Sequence, residues 1–240
     1  MNAFVTLACG IPNLHFVSSA TKRSFCERFA GADRSTYHVS PLGADGLGTA
    51  TPAFSASRRR FAYLGTIEPR KNHRIVLGAF QALWAQGVDV ELIFVGRLGW
   101  NIRVPGWKPD EIGEELSALA ARNPRFAWRQ ELDDRAVRDI IASCRATLYV
   151  SEIEGFGLPP LESLALGVPV IASAELPSLG IVEASGQIRL REISVDAVAA
   201  AVTAMLDDRV AAAKYREISA LALPTWRGLA ESLHRAMTAS

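Results

Sequence analysis

Ser151-Glu152-Ile153-Glu154-Gly155-Phe156-Gly157-Leu158-Pro159-Pro160-Leu161-Glu162-Ser163-Leu164-Ala165-Leu166-Gly167-Val168-Pro169-Val170-Ile171-Ala172 decides how the chain reads. It reads as strand end, glycine loop, short helix and buried strand. The residues before it, 146–150, form a short apolar run rich in strand formers. Gly155 and Gly157 free the backbone for a tight turn and for close approach of a ligand. Pro159 and Pro160 suit a helix start, where a missing N–H costs nothing. Leu161, Leu164 and Ala165 make one apolar stripe, Gly167 is a natural stop, and 168–172 is the next strand. Glu154 stands at the mouth of the loop, and Glu162, eight residues later, is placed in the first helical turn. Between them a helix N-terminus presents unpaired N–H groups, which favour an anion such as a diphosphate. Carboxylates beside it can accept hydrogen bonds from sugar or ribose hydroxyls. Either glutamate alone reads more simply as the acidic first turn of an ordinary capped helix.

The whole string resembles the Glu-x7-Glu signature of the retaining glycosyltransferases of family four, which have the GT-B fold. Composition is compatible with that. The chain has 240 residues, 49% of them hydrophobic, and a net charge of +1, which gives no argument for nucleic acid as a partner. Cys9, Cys26 and Cys144 fit neither a disulfide framework nor a metal site and point to a reducing compartment. The expected location is therefore cytoplasmic, with the inner face of the membrane as a variant. His15, His38, His73 and His234 show no ligand spacing. The apolar residues 4–17 are interrupted by Pro12 and Asn13 and lack a basic leader, so they make a poor signal peptide and are too short for a span.

Strands and helices alternate along the chain. Strands are expected at 14–18 and 37–41, with a helix at 21–29 between them. Residues 46–57, rich in Gly, Ala, Thr and Ser, read as a linker or hinge. Arg58-Arg59-Arg60 reads as a solvated run, with peripheral contact to acidic lipid or a partner as the alternative. A new unit begins with a strand at 61–65. Asn72 is expected to cap a helix reaching about residue 86, and a second strand spans 91–95. A helix at 109–123, a strand at 126–128 and a helix capped by Asp133 lead into the motif. Residues 188–190 form a further strand, and helices run from Ser194 to about 206, on to about 221, and from Thr225 to the end. This pattern implies βαβ units, a parallel sheet and helices on both faces. Right-handed crossovers put all the βα loops at one sheet edge, where ligands bind in open α/β sheets. The Arg70–Lys71, Gly96–Arg97 and Glu154–Glu162 loops are therefore expected to meet in one crevice.

Arg70 and Lys71 precede a helix N-terminus, a setting that suits a diphosphate but also a surface pair flanking a turn. Glu68-Pro69-Arg70-Lys71-Asn72 resembles the family's loop whose Arg and Lys bind the diphosphate of a sugar nucleotide. Trp100 and Trp107 read as packing for a long loop, with stacking on a base or sugar as the alternative. Arg97 reads equally as structural or as binding.

The resemblance runs over nearly the whole chain from about His15. It implies the C-terminal half of a GT-B fold: 1–45 a remnant of the N-terminal acceptor domain, 46–60 a linker, 61–240 a nucleotide-sugar-binding Rossmann-like domain with C-terminal helices. It implies a hexosyltransferase of retaining type, acting from a nucleotide sugar onto a glycan or lipid-linked acceptor. The 68–72 loop resembles that of mannosyltransferases, so a GDP-sugar such as GDP-mannose is the expected donor. Glu154, Arg70 and Lys71 would be catalytic. Glu162 would bind the ribose, and Gly155, Phe156, Gly157, Leu158, Thr66 and Arg97 would line the donor. No cofactor is implied, the nucleotide sugar being a substrate, and no metal, the two cations taking its place. About 45 residues before the linker are too few for a second Rossmann-like domain. Little transfer by the chain alone is therefore expected, together with self-association or a partner chain supplying the N-domain. The rival reading is a non-catalytic nucleotide-sugar-binding module.

Overall fold

The computed structural model describes residues 13–29, 37–99 and 107–238. Cys9, Trp100 and most of the 4–17 stretch lie outside them. The main body is a six-stranded sheet in the order β5-β4-β3-β6-β7-β8, parallel throughout. Its strands are β3 (Arg60–Leu64), β4 (Glu91–Val95), β5 (Phe126–Arg129), β6 (Ala146–Tyr149), β7 (Val170–Ser173) and β8 (Gln187–Leu190). Alternation along the strands sends side chains to two cores. Phe61, Tyr63, Leu92 and Phe94 pack beneath α2 (His73–Ala85), α3 (Pro109–Arg122) and α6 (Val195–Leu206). Ala62, Leu64, Ile93 and Val95 pack on the other face beneath α4 (Asp134–Ser143) and α5 (Leu158–Ala165). The apolar faces of α2 and α3 match the helical period, with Val76, Phe80, Leu83 and Trp84 buried on α2.

The sheet reverses direction beside β3. The chain steps outward from β3 to β4 to β5, then returns to lay β6 on the other side of β3. The loops after β3 and β6 thus diverge at the carboxyl edge of adjacent strands, which is the topological switch point of the sheet. The Arg70–Lys71 turn and the Glu154–Glu162 loop are those two loops.

Ahead of this body lie β1 (Leu14–Phe16), α1 (Ser19–Arg28) and β2 (Tyr37–Val39). β1 and β2 pair in parallel as a separate two-stranded sheet over Phe16, Phe25 and Tyr37. The C-terminal part of the chain, α7 (Asp208–Ile218) and α8 (Trp226–Thr238), returns toward this unit. The Trp226 N–H is held by Asp45 Oδ1 at 2.8 Å, and Ser40 Oγ meets Ser232 Oγ at 3.2 Å.

Four details differ from the sequence reading. α1 starts at Ser19, two residues earlier than expected, because Ser18 Oγ accepts the Thr21 N–H and caps it. Asn72 does not cap α2 with its side chain. It sits in the left-handed region at φ 54°, and its amide donates to Val150 O at 3.0 Å, so it ties two loops together. Glu162 is the fifth residue of α5, one turn deeper than expected, because Gly157 at φ 83° is the N-cap and Leu158 the first helical residue. Arg58-Arg59-Arg60 is not a uniformly solvated run. Arg58 donates to Ala53 O and Tyr215 Oη, Arg60 pairs with Glu91 at 2.8 Å, and Arg59 alone is exposed.

Candidate functional site

The loop after β3 carries Glu68, Arg70 and Lys71 on a single 3-10 turn, Pro69–Lys71. Pro69 starts the turn and Asn72 ends it in a left-handed conformation. The turn is joined to the β6 loop by backbone as well as side chain, since the Glu152 N–H donates to Arg70 O at 2.9 Å. At this join the charges interlock. Arg70 Nη1 lies 2.8 Å from Glu154 Oε2, and Lys71 Nζ lies 3.4 Å from Glu154 Oε1. Arg70 also donates to Glu68 Oε2 at 2.8 Å and to Ile153 O at 2.9 Å.

Lys71 is only 13% exposed because it folds over the end of β3. There Gly65, at φ 145°, leaves the space: a Cβ at Gly65 would stand 2.8 Å from Lys71 Nζ. Gly96, at the same level of β4, is bound equally tightly, since a Cβ on it would overlap Gly65 O. The two glycines let the β3 and β4 loops run side by side. They stay joined further out, where Ile67 N–H donates to Arg97 O and Gly99 N–H to Ile67 O, each at 2.9 Å.

Burial works against ionisation of Glu154, but the hydrogen bond from Arg70 and the nearby charge of Lys71 outweigh it and hold its pKa below the ordinary value. Glu154 is therefore an ionised acceptor at neutral pH, suited to receiving hydroxyl hydrogens and unsuited to donating a proton. Glu162 behaves in the opposite way. Burial, aided by the negative charge of Asp134, raises its pKa. Its Oε1 faces Gly46, 3.3 Å from where a Cβ would stand. His73, the histidine that follows the Arg70–Lys71 turn, is not a proton carrier. Burial and then Lys71 push its pKa down to about 3, and its ring lies 4.4 Å from that of Tyr63.

The structure brings Arg70, Lys71 and Glu154 into direct contact. Gly155, Phe156, Gly157 and Leu158 continue from Glu154 into the start of α5, with Phe156 buried and Gly155 exposed. Glu162 shares that loop-helix unit, but its carboxylate faces Gly46 and Asp134, and it makes no ion pair with Arg70 or Lys71. Thr66 is half-buried beside Gly96, and Arg97 is exposed at the end of β4. With His73, Phe94 and Ile112, Trp107 lines a cavity of about 270 Å³ on the α2–α3 face; the cavity borders the turn through Glu68, Pro69 and Asn72, but not through Glu154 or Lys71. Among the described residues no group of His, Cys, Asp or Glu could hold a metal. No described helix is long and apolar enough to cross a membrane. Sequence reasoning missed the hydroxyls of Ser18 and Thr21, which both reach Gly155 O. It also missed the tie from Asn72 to Val150. Such contacts join residues 78 to 137 positions apart and leave no local spacing to read.

The family model of glycosyl transferases group 1 matches residues 51–220. The serotype-specific mannosyltransferase WbdA of Escherichia coli is 33% identical over 159 residues, covering 66% of this chain and 18% of that protein. The O-antigen chain mannosyltransferase B of Escherichia coli is 34% identical over 174 residues, covering 71% and 40%. The chain thus spans less than half the length of these relatives. A GDP-mannose-dependent phosphatidylinositol monomannoside mannosyltransferase of Corynebacterium glutamicum is 27% identical over 209 residues, 76% of this chain and 52% of that one. Among solved structures, Anabaena Alr3699/HepE with UDP and glucose superposes with a TM-score of 0.76 at 16% identity, over 98% of this chain and 66% of that one. Sucrose-phosphate synthase of Thermosynechococcus elongatus gives 0.67 at 20% identity, over 98% and 61%. These superpositions establish the fold, an α/β body with a six-stranded parallel sheet that matches GT-B glycosyltransferase structures. The match over residues 51–220, with the Glu154–Glu162 loop and the Arg70–Lys71 turn inside it, makes this chain a member of the group 1 glycosyl transferases.

Proposed function

We propose that the chain is the donor-binding half of a retaining hexosyltransferase that takes a hexose from GDP-mannose or a similar GDP-sugar to a glycan or lipid-linked acceptor. In this reading residues 61–240 bind the donor, 46–60 are the linker, and 1–45 belong to the acceptor side. The carrying observation is the contact of Arg70 and Lys71 with Glu154 at the switch point between β3 and β6. The donor class draws support from mannosyltransferase relatives, one of them described as GDP-mannose-dependent.

The charges of the site neutralise one another. Two cations face the carboxylates of Glu68 and Glu154. A diphosphate entering beside Lys71 and the α5 N-terminus takes over the cations, and Glu154 is released to accept sugar hydroxyls. When the bond from the sugar carbon to the diphosphate breaks, negative charge grows on the leaving oxygen. Arg70 and Lys71 stand ready to stabilise it without reorganising. Glu162 accepts from the ribose, and Gly155, Phe156, Gly157, Leu158, Thr66 and Arg97 line the donor.

Calorimetry with GDP tests the reading. Lys71→Ala removes a charge-assisted contact worth about 1.5–3 kcal/mol, so GDP affinity should fall on the order of tenfold or more. Unchanged affinity would remove Lys71 from the site.

A further inference from the structure

The hydroxyls of Ser18 and Thr21 play no part in the chemistry assigned above, yet both converge on it. Ser18 is 2% exposed and caps α1, its Oγ accepting the Thr21 N–H at 3.0 Å. The same Oγ donates to Gly155 O at 2.7 Å, and Thr21 Oγ1 donates to that carbonyl at 2.7 Å as well. The donors lie 137 and 134 positions from Gly155 in the sequence, on a different sheet unit. The two hydroxyls also lie 2.9 Å from one another, so either both donate to the two lone pairs of Gly155 O or one donates to the other while that one holds the carbonyl. Gly155 is exposed as a residue, and two short contacts from a remote segment fix the direction of its carbonyl.

That direction matters because Gly155 follows Glu154. On the preceding side, Arg70 Nη1 holds Ile153 O at 2.9 Å. The residue carrying the carboxylate is thus gripped before by Arg70 and after by the α1 cap.

We propose that Ser18 and Thr21 are positioning residues for the donor sugar, acting through Gly155 O to set the backbone from which Glu154 projects. The inference rests on the donor-site reading above, and the test separates the two. Thr21→Val keeps the shape of the side chain and removes its donor. Ser18→Asp keeps a capping acceptor for α1 and also removes the donor. Each full-length variant, its helix content checked by circular dichroism, is titrated with GDP and with GDP-mannose, or with UDP and UDP-glucose if the wild type prefers uridine. The nucleoside diphosphate lacks the sugar and reads only the phosphate and ribose contacts. Its affinity should change by less than about twofold, while affinity for the nucleotide sugar falls about 3- to 10-fold, and Thr21→Ser should restore it. An unchanged ratio between the two ligands, or equal loss of both, overturns the positioning role and leaves the donor site standing. A wild-type chain that binds neither pair overturns the donor site and the positioning role with it.

Discussion

Glu154 and Glu162 are eight residues apart, and the fold shifts their pKa values in opposite directions. Glu154 has its pKa lowered in the fold. It contributes stability that is complete above the ordinary carboxylate value of 4.5 and is lost as pH falls through the lower folded value. Glu162 has its pKa raised. The stability linked to it is complete below 4.5 and is lost as pH rises through the folded value. The fold therefore favours the ionised form of Glu154 and the protonated form of Glu162. Glu154→Gln should lower the melting temperature at pH 7, and Glu162→Gln should raise it. The gain from Glu162→Gln should vanish below about pH 4, where the native carboxyl is protonated in both states. Thermal scans at the two pH values check both signs, and a Glu162→Gln protein that melts at the wild-type temperature at pH 7 would refute the assignment.

The β3 turn and the α5 loop hold their shape through glycine. Gly65 combines φ 145° with Lys71 Nζ where a Cβ would need to be. Gly65→Ala should therefore cost about 1–3 kcal/mol from backbone strain and also displace the lysine. Chemical denaturation reads the first effect and GDP titration the second. A variant that loses stability but keeps wild-type GDP affinity would show that Lys71 need not lie over β3. α5 ends as plainly as it begins. Gly167 at φ 71° passes its N–H to Leu164 O, and Val168 N–H goes to Ser163 O, the paired bonds of a Schellman cap. That cap was legible from Gly167 alone. The helix start was legible only to within one turn, because Pro159 and Pro160 fit any position whose N–H is unpaired, and they occupy the second and third.

Arg145 ties distant parts of the chain into one body. It stands just before β6, its side chain is 2% exposed, and it lies 5.0 Å over the Phe54 ring. It donates to Met205 O and Leu206 O at the end of α6, and to Asp208 at the start of α7. It also approaches Ala56 O at 3.4 Å in the segment before β3. Arg145→Met would leave the carbonyls at the α6 end without their charged donor, at about 2–3 kcal/mol. Asp208→Asn should cost under about 1 kcal/mol, since Asp208 is 58% exposed and solvent screens the pair. Urea denaturation of the two variants separates them. Equal losses would mean that the ion pair, not the carbonyl acceptors, holds this junction. Residues near 54–58 are fastened through these contacts to β6, α6 and α7.

Taken by itself, the chain's order of residues determined the parallel sheet, the class of its helices and the two loops that meet. Those features rest on period-2 and period-3.6 patterns, on glycines that need left-handed backbone, and on motifs contained within a dozen residues. Only the tertiary structure decided what each loop touches. Asn72 could cap a helix or bridge to Val150, and the choice depends on β6 lying next to β3, a pairing of strands more than eighty residues apart. Glu154 and Glu162 look alike in sequence. Their pKa values shift in opposite directions because one packs against Arg70 and Lys71 while the other is buried near Asp134. The hydroxyls on Gly155 were hidden for the same reason. A contact between remote residues is set by the packing of whole elements, and local spacing carries no trace of it.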